Sequence, residues 1–467
     1  MRLMVGSIVR SVVCGALCLG PVTGFAQVWE KWVGPGMIYR MEYDSSIPRV
    51  IHAIRYTPGS PFVKPMAELA ELKVYSEGDT KGREALSALV QRSGAIGGVN
   101  ADFFPFTGDP LGAMVRAGEL ISPPYPNRAV FGWGPAVSAV GRLRWKATLY
   151  PDGGEKLEID SMNEEWGQDG LVLNTEVAGY SIAKEPNVHV VVKLDETRIG
   201  PSGKITAVVE RTELDKEQVV VEQGKAVLLA RGPKAERILQ LQPGQKVTFD
   251  VATLGFDWAK VDQVVGGGPF LVVNNKPYID WKQAGFKENF AEKRHPRTAV
   301  GKTASGDVWF VIVDGRQDMS DGATLAELAD VMVGLGCTDA INLDGGGSST
   351  MNLFGMTLNR PSDGKERPIS NAVLFAGAIP TIETEPMAIK GPARIGPGAR
   401  ATYEVIGPDG RPVPQSSVIW SASGGAWVDQ GGMLRAIGNS TGAATLQAWA
   451  RGQLLTIPIT IAPAAGN

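Results

Sequence analysis

The chain has 467 residues, of which 43% are hydrophobic and 20% charged, and its formal net charge is −3 at pH 7. This length exceeds one ordinary hydrophobic core, so we expect two or more domains. The composition excludes a disordered chain, and the absence of a basic excess excludes nucleic acid as the expected partner.

The first 26 residues have the pattern of a secretory signal. Arg2 and Arg10 precede and flank the apolar run "SVVCGALCLG", and "GFA" before Gln27 resembles a small-x-small cleavage site. The run is shorter than the ~20 residues that span a bilayer, which favours a signal over an anchor. We therefore predict an exported protein, periplasmic or secreted, with no transmembrane segment after signal removal.

Short strand-like runs dominate residues 28–273. Examples are "MIYRMEY", "RVIHAIRY", "VHVVVKL" and "KVTFDVA", separated by turns that draw on the chain's 58 glycines and 31 prolines. Between residues 128 and 273 this spacing predicts an extensive and largely antiparallel sheet. Residues 82–92, "GREALSALVQR", predict a helix with Leu86, Leu89 and Val90 on one face.

A hairpin, a helix and a strand are predicted in succession after residue 297. The hairpin covers 297–313 around the turn "ASGD". The helix lies in "ATLAELADVMVGLG", where Thr324 and Glu327 form a capping box. If the strands before Asp314 and Asp344 are parallel neighbours, both aspartates leave the carboxyl edge of the sheet, where such sheets bind ligands.

The composition changes after residue 378. Residues 379–385 read as a linker, and 386–467 resemble a bacterial immunoglobulin-like domain through Trp420 in "SVIWSASGG" and the G-x-x-x-A pattern at 432–436. The predicted fold class is therefore α+β, a mixed and largely antiparallel sheet with packed helices, followed by a small all-β immunoglobulin-like sandwich.

Several common sites are excluded by their spacing. Three separated histidines and one cysteine after signal removal do not suit a Cys/His zinc site. "GKT" at 301–303 lacks the first glycine of a phosphate loop, because residue 296 is proline. "DGRQDMSDG" does not fit a calcium loop, with Arg316 and Met319 at ligand and turn positions. The sequence requires no cofactor, although clustered aspartates leave a calcium or magnesium ion open and the metal site unassigned.

Six glycine-rich blocks carry acids and basic groups. They are "GGVNADFF" (97–104), "VVGGGPFLV" (264–272), "RHPRTAVG" (294–301), "VDGRQDMSDGATLAE" (313–327), "NLDGGGSSTM" (342–351) and "NRPSDGKERPISNAV" (359–373). Glycines allow backbone amides to approach an anion, arginine offers a planar fork for phosphate, and paired carboxylates can divide acid, base and nucleophile roles.

These six blocks, in this order, resemble the phosphodiester glycosidase family. The likeness covers about residues 85–378, and the domain is predicted over 27–378. It is strongest over 264–377, in "GGGP", "RTAVG", "GATLAELA", "NLDGGGSST" and "RPISNA". Near residue 100 the family often has N-G-x-F-F, whereas this chain has "NADFF". The resemblance implies hydrolysis of a sugar phosphodiester, similar to an N-acetylglucosamine 1-phosphodiester: water attacks the anomeric carbon and a phosphomonoester leaves.

On this resemblance we expect Asp344, Asp314 and Asp102 to be catalytic. The expected substrate-binding residues are Asn100, Gly266, Gly267, Gly268, Arg297, Arg316, Asn342, Gly345, Gly346, Gly347, Ser348, Ser349 and Arg367. The expected partner is a sugar phosphodiester or an envelope glycan, with the oligomeric state open.

Simpler interpretations stand beside these. Asp344 with Gly345 is also a common hairpin turn, Asp102 could cap a turn, and Arg297 could pair with a surface acid. Two other functions remain open: a non-catalytic protein that binds glycans or the cell envelope, and a related hydrolase that acts on exopolysaccharide or wall polymers.

Overall fold

The computed structural model describes residues 26–77, 79–165, 168–378 and 383–463. Residues 1–25 of the predicted signal lie outside this part. The fold is mostly β, with 47% strand and 10% helix, so the expected α+β class with packed helices is wrong. The α-helices of the described part are short: Leu86–Ser93, Pro233–Ile238, Glu288–Glu292 and Leu325–Gly334. The period-two patterns and frequent turns leave little chain for longer ones.

The first large sheet carries the predicted hairpin. Its eight strands follow the spatial order Gln27–Gly34, Met37–Asp44, Arg49–Tyr56, Val308–Val313, Arg297–Thr303, Cys337–Asn342, Phe270–Val273 and Lys276–Pro277. The hairpin over 297–313 is confirmed, with Arg297 opposite Val313. The helix Leu325–Gly334 and its capping box are also confirmed. This helix buries Leu325, Leu328 and Met332 in the same hydrophobic cluster as Val311 and Ala340 of the sheet.

The strands before Asp314 and Asp344 are not neighbours. The strand Arg297–Thr303 lies between them and pairs antiparallel with both. The outer two strands therefore run parallel and end at the same edge, as expected, but one strand apart. Because adjacent strands lie about 4.8 Å apart, the two strand ends are separated by roughly 10 Å.

A second large sheet confirms the extensive, largely antiparallel pairing predicted between residues 128 and 273. Its strands follow the order Leu157–Ile159, Arg144–Pro151, Lys246–Leu254, Ser202–Leu214, Val188–Leu194, Lys225–Arg231, Gly170–Thr175 and Ser161–Met162. A two-stranded sheet, Tyr180–Ile182 with Gln218–Val220, lies beside it. Side chains such as Phe249 and Leu228 form a core separate from that of the first sheet.

Two five-stranded sheets deliver the glycine-rich blocks. One has the order Glu119–Ser122, Met114–Arg116, Gln263–Gly266, Val130–Trp133 and Ser138–Gly141. The other has the order Met356–Thr357, Met351–Leu353, Gly97–Asn100, Asn371–Gly377 and Val63–Leu69. The blocks 97–104 and 264–272 therefore each begin on a buried strand, which ends at Asn100 in the first and at Gly266 in the second and holds the loop that follows.

The C-terminal strands have a core of their own around the buried Trp420, Tyr403 and Leu434. The strands are Ala388–Lys390, Arg394–Ile395, Arg400–Thr402, Glu404–Ile406, Val418–Gly424, Ala426–Val428, Met433–Ala436, Gly442–Ala450 and Gln453–Ile461. The immunoglobulin-like character and the domain boundaries stay predictions. In the part of the chain that the structure describes, no helix has the length and apolarity that crossing a membrane requires.

Candidate functional site

Asp344 is held by the end of a neighbouring strand. It follows the strand Cys337–Asn342, its amide donates to Ala101 O at 2.9 Å, and its carbonyl accepts from Asn100 Nδ2 at 2.7 Å. These two bonds attach the loop at 344 to the end of the strand Gly97–Asn100. They bring Asp344 beside the next residue of that loop, Asp102.

Asn100 uses both the nitrogen and the oxygen of its side-chain amide to hold the neighbouring segments at 298, 344 and 350. Besides the bond to Asp344, its Oδ1 accepts from Thr298 Oγ1 at 2.9 Å and from Thr350 N at 3.1 Å. Thr298 Oγ1 also lies 3.1 Å from Ser349 Oγ, and since its one proton goes to Asn100 it can accept the proton of the Ser349 hydroxyl. The side chains of Asn100 and Ser349, both expected to bind substrate, are therefore engaged within the protein.

Asp102 is a buried carboxylate with two backbone donors. Its Oδ2 accepts from Gly112 N at 2.6 Å and its Oδ1 from Phe103 N at 2.8 Å. Burial nevertheless raises the pKa of Asp102 to about 7, and the nearby Asp344 adds to the rise. A Cβ at Gly266 would overlap Asp102 Oδ2, so only glycine at this position leaves room for the carboxylate.

Asp344 has the lower pKa of the two. Burial raises the pKa of Asp344 to about 6, while the Ser348 hydroxyl, the Gly345 amide and the Arg367 guanidinium oppose the rise. Burial is the main cause of the rise at both carboxyls, so both titrate near neutral pH. Such a pair can hold one proton in the range where hydrolases work.

Arg128 is the main residue that the sequence did not reveal. Its Nε and Nη1 are buried and find no hydrogen-bond partner in the described ranges. The guanidinium lies 4.5 Å from the ring centre of Phe286, 4.7 Å from that of Tyr125 and 5.0 Å from that of Phe103. Burial lowers its pKa, and the charges of Asp102 and Asp344 oppose this. The aromatic rings leave the donors of Arg128 available to an anion.

Two further arginines lie over the loop at 345–347. An added Cβ at Gly346 would be 3.5 Å from Arg316 Nη2, and one at Gly347 would overlap Arg367 Nη2. Arg316 is exposed, with Nη2 3.1 Å from His295 Nδ1. Arg367 donates to Asp363 at 2.7 Å. The glycines therefore provide the close approach that we expected, but to arginine side chains of the same chain.

The backbone amides of this loop are largely used internally. Gly345 N donates to Asp344 Oδ1 at 2.9 Å and Gly346 N to Pro296 O at 2.9 Å. The amides of Ser348 and Ser349 each donate to a carbonyl of the loop at 3.2 Å. An anion at this loop would therefore be bound by the arginines rather than by these four amides.

Asn342 fastens the "GGGP" block to the strand before Asp344. Its Nδ2 donates to Gly268 O at 3.0 Å, and Gly268 N donates to Asn342 O at 2.7 Å. A Cβ at Gly267 would lie 2.6 Å from Asn342 O. Asn342 and the glycines 266–268 are thus brought to the same place as Asp102 and Asp344, in positioning roles.

Arg297 is directed onto backbone carbonyls. Its guanidinium donates to Ala323 O at 2.8 Å, Phe290 O at 2.5 Å and Lys293 O at 3.1 Å, and the residue is 1% exposed. Burial and the nearby Arg316 lower its pKa to about 10. Through these bonds Arg297 holds the segment 290–293 and Ala323 in place.

Asp314 belongs to a different buried group. Its Oδ1 accepts from Asn359 Nδ2 and from Arg360 N, both at 3.1 Å, and its Oδ2 is 3.6 Å from His52 Nε2. His52 Nδ1 lies 2.8 Å from Tyr39 OH. The strand inserted between the two strand ends separates Asp314 from Asp344, and the carboxyl beside Asp344 is that of Asp102. The catalytic role expected of Asp314 stays a prediction.

Metal ligands are not clustered here. No group of three or more His, Cys, Asp or Glu side chains in the described part is arranged to hold a metal ion.

Comparison with known proteins gives a partial match. Residues 195–376 match the family model described as phosphodiester glycosidase. This span contains Asp314, Asp344 and Arg367, whereas Asp102 and Arg128 lie before it.

Curated relatives match over a short region. The chain is 40% identical over 113 residues to the SPbeta prophage-derived uncharacterized protein YomE of Bacillus subtilis (strain 168), covering 23% of this chain and 16% of that protein. It is 34% identical over 110 residues to the N-acetylglucosamine-1-phosphodiester alpha-N-acetylglucosaminidase of Bos taurus, covering 22% of this chain and 21% of the relative. The chain thus spans about a fifth or less of the length of these relatives.

The fold is shared with a solved structure. A protein from Burkholderia pseudomallei K96243, described as exported, superimposes with a TM-score of 0.63 at 18% identity, over 79% of this chain and all of that one. At this identity the likeness concerns the fold alone.

Proposed function

We propose that this protein hydrolyses the bond between the anomeric carbon of a sugar and a phosphodiester, with N-acetylglucosamine 1-phosphodiesters as the first substrates to test. The family match over 195–376 supports this class of reaction. The observation that carries the proposal is geometric: the hydrogen bond from Asp344 N to Ala101 O places the buried carboxyls of Asp102 and Asp344 beside each other, and the Nε and Nη1 donors of Arg128 nearby have no partner in the described ranges.

The proposed chemistry divides the work between the two acids. Asp344 has the lower pKa, so it stays ionised to lower pH than Asp102. Its negative charge stabilises the positive charge that develops at the anomeric carbon. Asp102, with a pKa of about 7, accepts a proton from the attacking water. As the water oxygen bonds to the anomeric carbon, the bond to the phosphate oxygen breaks and its electron pair leaves with the phosphomonoester.

The arginines hold the phosphate in this proposal. Arg128 offers buried donors, while Arg316 and Arg367 place positive charge over the glycine loop. A phosphomonoester is a good leaving group, so neutralising its charge matters more than protonating it. The site therefore needs cations on the leaving group and a carboxylate at the sugar.

Asp344→Asn tests the assignment. We expect kcat to fall roughly a hundred- to a thousandfold with the methyl diester of N-acetylglucosamine 1-phosphate or UDP-N-acetylglucosamine, because the stabilising charge is removed. Asp339→Asn is the matched control, since Asp339 lies in the preceding strand and pairs with Lys302 at 3.1 Å. Wild-type turnover in Asp344→Asn would refute the assignment. Binding of diesters by the wild-type protein without product would favour the glycan-binding alternative.

We also propose that the protein works outside the cytoplasm. The signal-like first 26 residues support this. Sequencing the N-terminus of the protein recovered from a cell envelope or culture fraction should give Gln27, and an intact Met1 in that fraction would contradict the proposal.

A further inference from the structure

The loop that carries Arg316 reaches from the candidate site to the C-terminal strands. It covers residues 314–322, between the second strand of the hairpin and the capped helix. Near its start, Arg316 Nη2 lies 3.5 Å from the position of a Cβ added at Gly346. At its tip, Met319 is only 4% exposed. One loop therefore connects a cation of the site with a buried contact outside it.

The tip of this loop packs on the C-terminal strands. Arg435 Nη1, in the strand Met433–Ala436, lies 3.7 Å from Met319 Sδ. A Cβ added at Gly438, just after that strand, would be 3.2 Å from Asp318 Oδ2. Met319 also belongs to the same hydrophobic cluster as Trp427 of the C-terminal strands.

A second route joins the loop to the same strands. Gln317 Nε2 donates to Arg360 O at 2.8 Å, and Arg360 Nη2 donates to Gly424 O at 3.4 Å. Gly424 ends a C-terminal strand. The residue that follows Arg316 is therefore connected to the C-terminal strands independently of Met319.

The backbone of Arg316 needs such support. The base of the loop is held near the first sheet, where Ser320 Oγ donates to Asp314 O at 2.6 Å. Arg316 itself has a φ of 60°, in the left-handed region that a residue other than glycine keeps only where its surroundings enforce it. A loosened tip allows Arg316 to return to negative φ, which moves its side chain away from Gly346.

We propose that Met319 is a positioning residue for Arg316, and that the C-terminal strands act on phosphate binding through this contact. The inference rests on the proposed function, in which Arg316 places positive charge on the phosphate of the diester. The packing of Met319 against Arg435 keeps the guanidinium over the glycine loop. The C-terminal strands thereby influence turnover from outside the site.

The test is a double-mutant cycle of Met319→Ala and Arg316→Met, measured as kcat/KM with the methyl diester of N-acetylglucosamine 1-phosphate. We expect Met319→Ala to lower kcat/KM about three- to tenfold, a part of what a charge-assisted hydrogen bond provides. It should add nothing in the Arg316→Met background, because its effect passes through that guanidinium. Met319→Leu keeps the volume and should restore most of kcat/KM. Met332→Ala is the matched control, since Met332 is equally buried but in a different hydrophobic cluster.

Arg435→Ala removes the same contact from the C-terminal side. It should lower kcat/KM in the same direction, again only while Arg316 is present, and it keeps the cycle available if Met319→Ala does not fold. Arg400→Ala is its control, because Arg400 is exposed and lies opposite Arg435 on the neighbouring strand.

The outcomes separate the inference from the function. Equal losses of kcat/KM with and without Arg316, or no loss at all, would overturn the inference and leave the function standing. If the wild type hydrolyses no diester, the function fails, and hydrogen exchange of the amides of 315–321 decides the positioning role. Faster exchange in Met319→Ala than in Met332→Ala supports that role, and equal exchange overturns it.

Discussion

At the scale of single residues, burial turns ordinary side chains into reactive ones. Asp102 accepts two backbone hydrogen bonds, which favour its ionised form, yet burial raises its pKa to about 7. Arg128 is half-buried over aromatic rings, and the negative charges of Asp102 and Asp344 favour the charged form of its guanidinium. Holding such groups costs folding free energy, so their removal should lower activity with little loss of stability.

The first residue-scale prediction concerns the pH dependence of stability. Because the folded pKa of Asp102 lies above its usual 3.8, this carboxyl stabilises the fold fully below about pH 4 and loses that contribution as pH rises through 7. Asp102→Asn has no such loss. We expect its free energy of unfolding, relative to the wild type, to rise by about 2 kcal/mol between pH 5 and pH 8.

Urea denaturation at several pH values checks this. The hydrogen bond lost in Asp102→Asn adds an offset that does not depend on pH, so the slope is the result. The control is Asp257→Asn, since Asp257 is exposed and its pKa is lowered by Lys260. If the difference in free energy of unfolding between Asp102→Asn and the wild type does not change between pH 5 and pH 8, Asp102 is already ionised at pH 5 in the folded protein, which would contradict the prediction.

The second residue-scale prediction concerns Arg128→Met. Removing the guanidinium should raise KM for a phosphodiester about ten- to a hundredfold, the value of a charge-assisted hydrogen bond, with little loss of stability. Steady-state kinetics and thermal unfolding provide the two readouts. Arg55→Met is the control, because Arg55 also lies over a ring, Trp309 at 5.9 Å, but in the sheet. An unchanged KM would remove Arg128 from the site.

At the scale of elements, the sequence predicted individual helices and hairpins well, but it predicted less well which strands are neighbours in a sheet. The hairpin and the capped helix depend on residues near each other in sequence. The strand inserted between the ends at Asp314 and Asp344 depends on how the hairpin enters the sheet, which local pattern does not contain. Arg128 was missed for the same reason: no glycine block or motif marks "PNRAV", and only the fold brings it to Asp102.

The element-scale prediction separates the two aspartates of the original pair. We infer that Asp314 is a positioning residue, because it holds Asn359 and Arg360, and Asn359 donates to Ser349 O at 3.0 Å. Asp314→Asn should lower the free energy of unfolding by about 2–4 kcal/mol, since buried partners lose a charge. Its kcat, measured on folded protein, should fall far less than that of Asp344→Asn. Equal loss of kcat with unchanged stability would return Asp314 to a catalytic role.

At the scale of the whole molecule, the C-terminal strands are packed against the rest of the fold. Trp449 stacks on Phe354 at 4.2 Å, and Tyr43 meets Trp427 at 5.1 Å. The buried Lys31 ammonium donates to Gln430 O at 2.6 Å. These contacts join the C-terminal core around Trp420 to the core of the first large sheet, so the C-terminal strands are packed against the rest of the fold and not only tethered to it.

The attachment predicts that the two cores stabilise each other. Trp449→Ala removes a ring that bridges them, so we expect the free energy of unfolding to fall by about 2–4 kcal/mol and the thermal transition to split into two. Differential scanning calorimetry measures both effects. Trp32→Ala is the control, because Trp32 is near the same junction but 65% exposed. If Trp449→Ala unfolds in one transition at the wild-type temperature, the stacked rings do not couple the cores, and the C-terminal strands are stabilised by their own interior around Trp420.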